Sequence, residues 1–143
     1  MKLLYDYAIS LLGTPYVWGG EDPTGGMDCS GFVQELLRSV GIDPKGDQTS
    51  GGLYRHFLTK GDLIGEPIMG SLLFYGKNEY SITHIAMGIG SNRIIEAAGG
   101  GSRTTSVAKA AEHDAFIRIR PYNYRSDLQD ILFPEYPDWM ERG

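Results

Sequence analysis

One cysteine, Cys29, stands in the run GMDCSGF, and His56, His84 and His113 are the chain's three imidazoles. A lone cysteine rules out an intramolecular disulfide, so the thiol is either buried filler, as free cysteine often is, or a nucleophile. Its surroundings favour the nucleophile. Asp28 sits where a helix N-cap belongs, and Phe32, Val33, Leu36, Leu37 and Val40 follow at helical spacing, with Gly41 as a stop. Cys29 therefore falls in the first turn, where unpaired N–H groups and the positive end of the helix dipole favour a thiolate. Gly25-Gly26 before it and the small Ser30-Gly31 after it leave room for an incoming backbone.

A thiol nucleophile needs a proton acceptor, and imidazole, with an unperturbed pKa near ~6.5, suits that task. His84 lies early in ITHIAMGIG, where Ala86 and Gly88 on its own strand face leave space beside the ring. His56 and His113 read as surface helix and loop. Cysteine, histidine and carboxylates also bind metals. Neither the cysteine nor any histidine has a second candidate ligand at the spacing of a helix-borne zinc site, however, and there is no C-x-x-C, so no metal or cofactor is expected.

The elements that must position these residues change character along the chain. Leu3, Leu4, Tyr7, Ala8, Leu11 and Leu12 predict an opening amphipathic helix that ends near Gly13. The Gly- and Pro-rich loop TPYVWGGEDPTGGMD leads into the Cys29 helix, and residues 50–60 carry a third helical pattern. Strands follow at residues 71–76, 82–90, 93–98 and 115–122. Helices first and strands after them predict an α+β domain over residues 1–122. Residues 123–143, with Pro134, Pro137 and Trp139, read as an irregular tail on the same domain.

At 143 residues the chain suits one domain with a real core, and its 41% hydrophobic and 22% charged residues exclude a disordered or collagen-like class. A net charge of −5 without a basic run argues against nucleic acid as a partner. No stretch reaches the roughly 18 apolar residues of a membrane span, so no membrane partner is expected. MKLLYDYAIS lacks a signal-peptide pattern. The expectation is a protein made in the cytoplasm that needs another carrier if it acts outside the cell.

Together TPYVWGG, MDCSGFVQELLRSVGI, GSLLFYG and THIAMGIGSNRIIEAAGG resemble the NlpC-type (NlpC/p-sixty) cell-wall cysteine peptidases. The resemblance runs from the first helix to about Pro121. It implies a small papain-like α+β fold, N-terminal helices on an antiparallel sheet, and hydrolysis of peptidoglycan stem peptides after γ-D-glutamate. Cys29 is then the nucleophile, His84 the base and Glu96 the third polar residue that orients the imidazole, as in a Ser-His-Asp triad. Glu96 poses a geometric problem. A plain two-residue turn at Ser91-Asn92 would put it on the face opposite His84, so a bulge or longer loop is required.

In relatives that recognise a free N-terminal L-alanine, the positions of Tyr16, Asp28 and Ser30 line the substrate site. Asp28 is equally an N-cap, and Tyr16 is a candidate oxyanion donor beside the Cys29 N–H. Trp18 reads as packing beside the pocket. The GGGSRT run and the lack of targeting resemble phage and prophage versions, for which tail proteins would be partners. Two other functions fit the same residues: a catalytically idle relative that binds wall or assembly partners, and an amidase or acyltransferase using the same thiol.

Overall fold

The computed structural model describes residues 1–140. Helix α1 (Lys2–Ser10) is followed by a two-stranded ribbon, β1 (Glu21–Asp22) and β2 (Gly26–Met27), then α2 (Cys29–Ser39) and α3 (Ser50–Thr59). The remaining elements are β3 (Gly61–Ile64), β4 (Leu72–Gly76), β5 (Ile82–Gly90), β6 (Arg93–Ala98), α4 (Val107–His113), β7 (Phe116–Pro121) and β8 (Leu128–Pro134). Strands β3 to β8 form one antiparallel sheet in the order β3-β8-β4-β5-β6-β7. This is the expected α+β architecture. Among the described residues no helix is long and apolar enough to cross a membrane.

Period-two alternation gives the sheet two different faces. Leu72, Phe74, Ile85, Met87, Ile95 and Ala97 point toward the helices and meet Phe32, Val33, Leu36 and Leu37 of α2 and Leu53 and Phe57 of α3. Each such side chain, fully withdrawn from water, contributes about 1.5–3 kcal/mol. On the other face Leu73, Tyr75, Ala86, Ile94 and Ile131 form a smaller cluster. His84 and Glu96 belong by parity to this second face.

The β5–β6 hairpin supplies the bulge that Glu96 requires. Ser91 and Asn92 have φ of 55° and 59°, both positive as in a type I′ turn. Gly90 pairs with Arg93, but Gly88 pairs with Ile94 and Met87 with Ile95, so Ile89 is the extra residue. Continued along the strands, this register sets Ala86 opposite Glu96 and turns Glu96 to the His84 face. Gly88 leaves no room for a side chain, since a Cβ there would lie 2.4 Å from Ser71 Oγ and 2.5 Å from the Ile68 carbonyl.

The expectation of an irregular tail over 123–143 is corrected. Leu128–Pro134 is a strand inside the sheet, pairing with β3 on one side and β4 on the other, with Leu72 opposite Leu132 and Asp62 opposite Phe133. Ile131, Leu132 and Phe133 are buried there, and the prolines that suggested irregularity lie at the end of the strand and beyond it. A boundary at 122 falls within the β7–β8 connection. Residues 141–143 of that expected tail lie outside the described residues.

Candidate active site

Cys29 is the first residue of α2 and is half-buried. Its helix is capped as the sequence predicts. Asp28 Oδ1 accepts from Gly31 N at 2.7 Å and Ser30 Oγ at 3.2 Å, and Oδ2 accepts from Gly19 N at 3.1 Å. The glycine-rich lead-in is pressed against this turn. A Cβ on Gly31 would lie 2.2 Å from the Gly20 carbonyl oxygen, and one on Gly26 would lie 2.3 Å from Val17 Cγ2. The expected room around Gly25-Gly26 is therefore filled by the protein's own chain.

His84 is 6% exposed, and its Nε2 lies 2.6 Å from Glu96 Oε1, whose residue is fully buried. Tyr75, opposite His84 in register, tilts against the imidazole with centroids 5.6 Å apart. Burial is the largest influence on the ring and opposes its charge. Hydrogen bonding and charge from Cys29 and Glu96 outweigh it, so His84 is pushed up to about 9. With Nε2 engaged by Glu96, Nδ1 is the nitrogen left for Cys29. A carboxylate thus holds one end of the imidazole, and the thiol lies close enough to favour its charge.

Tyr16 and Trp18 from the lead-in loop, Thr83 beside the histidine, and Gly99 to Gly101 wall the cleft over this pair. Tyr16 is 6% exposed, with its ring against Gly100, where a Cβ would lie 2.2 Å from the ring. Burial, then the proximity of Cys29 and Asp28, raises its phenol well above the ordinary range, so it remains a donor. Trp18 is 55% exposed and stands in the cleft wall, which corrects its assignment as packing beside the pocket.

Asp28 and Ser30 do not line the cleft. Ser30 is buried and donates to Asp28, and the Asp28 carboxylate is occupied by the helix turn and the Gly19 loop. Tyr16 alone of the three expected substrate-site residues reaches the cavity.

Two cleft residues were missed, Tyr124 and Arg125, both in the β7–β8 connection. The Tyr124 hydroxyl donates to Glu96 Oε1 at 2.8 Å. Arg125 pairs with Asp127 through Nε and Nη2 at 2.8 and 2.7 Å and lies over the Tyr75 ring. Their signal was a tyrosine-rich stretch, YNYR, that straddles the expected boundary between domain and tail. His113 is the last residue of α4 rather than a loop residue, and its Nδ1 lies 2.8 Å from Thr104 Oγ1.

A helix-borne thiol facing a strand-borne histidine on an antiparallel sheet is the arrangement of papain-like proteins. Residues 13–120 match the model of the NlpC/P60 family, and the chain belongs to that family. It is 34% identical over 90 residues to the bifunctional muramidase/DL-endopeptidase CwlT of Bacillus subtilis, covering 61% of this chain and 26% of that protein. It is 35% identical over 89 residues to a γ-D-glutamyl-L-lysine dipeptidyl-peptidase of Bacillus cereus, covering 59% and 24%. The chain thus spans about a quarter of the length of these relatives. The crystal structure of an NlpC/P60 family protein from Bacillus cereus superposes with a TM-score of 0.68 at 23% identity, over 94% of this chain and 39% of that one.

Proposed function

We propose that this protein is a cysteine peptidase that hydrolyses amide bonds in peptidoglycan stem peptides, with Cys29 as nucleophile, His84 as base and Glu96 as the residue that orients the imidazole. The observation that carries this is the hydrogen bond of 2.6 Å between His84 and a fully buried Glu96, on a ring also engaged with the thiol at the α2 N-terminus. A buried carboxylate beside a histidine fixes the ring and favours its charged form.

The Cys29 thiolate attacks the carbonyl carbon, and the electron pair moves to oxygen, where the Cys29 N–H and the Tyr16 hydroxyl receive it. The tetrahedral species collapses, the C–N bond breaks, and His84 gives the Nδ1 proton to the leaving amine. Neutral His84 then takes a proton from water, hydroxide attacks the thioester, and the thiolate leaves beside the imidazolium. Asp28 supports this chemistry through the cap that holds Cys29 in place.

The bond we assign is the one after γ-D-glutamate. The names of the relatives support it, since one is a DL-endopeptidase and another a γ-D-glutamyl-L-lysine dipeptidyl-peptidase. Delivery by a phage particle belongs to the same proposal and is supported by the likeness of GGGSRT to phage versions. Mass analysis of digested muropeptides tests the function: products ending in γ-D-glutamate are expected from the native chain and none from Cys29→Ala. Release at another bond, or the same products from Cys29→Ala, would overturn the assignment.

A further inference from the structure

The Glu96 carboxylate is bonded unevenly. Oε1 meets both His84 Nε2 at 2.6 Å and the Tyr124 hydroxyl at 2.8 Å, while Oε2 is buried without a hydrogen bond. The groups around it come from four elements. His84 faces it from β5, Tyr75 from β4, Arg118 from the opposite register position on β7, and Tyr124 from the β7–β8 connection. Arg118 directs its Nη2 to the carbonyls of Ala98 and Asp114, and its Nε has no hydrogen bond. Tyr75 gives its hydroxyl to the Tyr122 carbonyl. Among the described residues, Tyr124 is therefore the one group besides His84 seen to hold the carboxylate.

Tyr124 is itself held in place. The Arg120 guanidinium lies 5.6 Å over its ring, its N–H donates to the Pro121 carbonyl, and the next residue is locked to Asp127 and to Tyr75, which touches His84. Burial and the neighbouring carboxylate raise its phenol well above the ordinary range, so the hydroxyl stays a donor wherever the enzyme works.

We infer that Tyr124 is a positioning residue for the reaction: its hydroxyl fixes Oε1 of Glu96 under the His84 ring. This rests on the assignment of Cys29 and His84 as nucleophile and base. A carboxylate bonded by one donor can swing about its last torsion and swap its two oxygens, whereas a second donor on the same oxygen pins it. A hydrogen bond to the charged form also favours that form. A carboxylate held in this way supports the charge of the imidazole it faces.

The test is Tyr124→Phe, which keeps the ring of a residue already 40% exposed and removes only the hydroxyl. We expect kcat to fall about three- to tenfold with KM within about twofold, the size of one ordinary hydrogen bond lost in the transition state. The basic limb of the kcat/KM profile should move down by about half a pH unit to one unit, because a loosely held Glu96 supports the protonated His84 less. In a Glu96→Gln background, where the charge that Tyr124 would position is gone, Tyr124→Phe should leave the limb where it was. A purely structural role would lower activity evenly across pH. An unmoved basic limb, or a shift that persists beside Gln at position 96, would overturn the inference. Failure of the underlying assignment is read separately, as retained turnover in Cys29→Ala and His84→Ala. A melting temperature of Tyr124→Phe within a few degrees of the native value confirms that the fold is intact.

Discussion

The carboxylate next to Cys29 in the chain and the one that meets His84 are bonded in opposite ways. Asp28, at the helix end, accepts three hydrogen bonds shared between its two oxygens, two of them from backbone N–H groups of the turn it caps and of the Gly19 loop. Glu96, on the sheet, is fully buried, places both of its bonds on one oxygen and directs that oxygen to a histidine. The bonds of Asp28 are those of folding, and its loss leaves backbone donors unpaired. Glu96 stabilises a charge that exists only when the imidazole is protonated, and burying it is costly for any other purpose. The helical half supplies geometry and the sheet half supplies electrostatics.

The largest effects test whether both halves converge on one thiol–imidazole unit. Cys29→Ala and His84→Ala should each lower kcat at least ~10³-fold, and the double variant should be little worse than either single one. Independent, multiplying losses would show that the two residues do not act together. Next in size is the contrast between the carboxylates themselves. Glu96→Ala should lower kcat about 10- to 100-fold with KM nearly unchanged, and Glu96→Gln should recover part of it, since an amide oxygen still accepts from the ring. Asp28→Ala should show up first in unfolding, at about 1–2 kcal/mol for a lost cap, with Asp28→Asn largely restoring it. If Asp28→Ala spared stability and abolished turnover, the comparison would reverse.

A smaller effect concerns pH. The folded His84 is pushed up to about 9 from an ordinary 6.5, so the folded state binds its proton more tightly than the unfolded chain does. Its contribution to stability is complete below about pH 6.5 and is lost as pH rises through about 9. Denaturant titrations at pH 6 and pH 9.5 should show the native chain weaker at the higher value. Glu96→Gln should flatten that difference, because one of the two groups holding the proton has lost its charge.

What the sequence made legible follows the same division. Helix α2, its Asp28 cap and the placement of Cys29 were readable because capping and 3.6-residue periodicity are local. Strands β5 and β6 were readable to the residue from their branched runs and the Ser-Asn turn. The His84–Glu96 contact was readable only through the family resemblance, since it depends on a one-residue bulge at Ile89 that hydrophobic alternation does not encode. Strand β8 was hidden by its prolines and by a position between β3 and β4 that only long-range pairing determines. Tyr124 was hidden with it, since a tyrosine earns meaning only from the buried group its hydroxyl meets.

The smallest effect bears on the turn that sets this register. Ser91 holds φ of 55°, a left-handed conformation that costs an L-residue about 1–2 kcal/mol, and Asn92 at 59° is of a type that tolerates it better. Ser91→Gly removes the steric cost and adds unfolded-chain entropy of about 0.5–1 kcal/mol, so the net gain should be a few tenths of a kcal/mol up to about 1. Asn92→Gly should gain less. Melting curves check both variants. Turnover should stay at the native level in each, because neither changes the pairing of Met87 with Ile95 that keeps Glu96 on the histidine face. A Ser91→Gly variant that melts higher yet loses turnover would mean that the strain at Ser91, and not the bulge at Ile89, holds Glu96 against the ring.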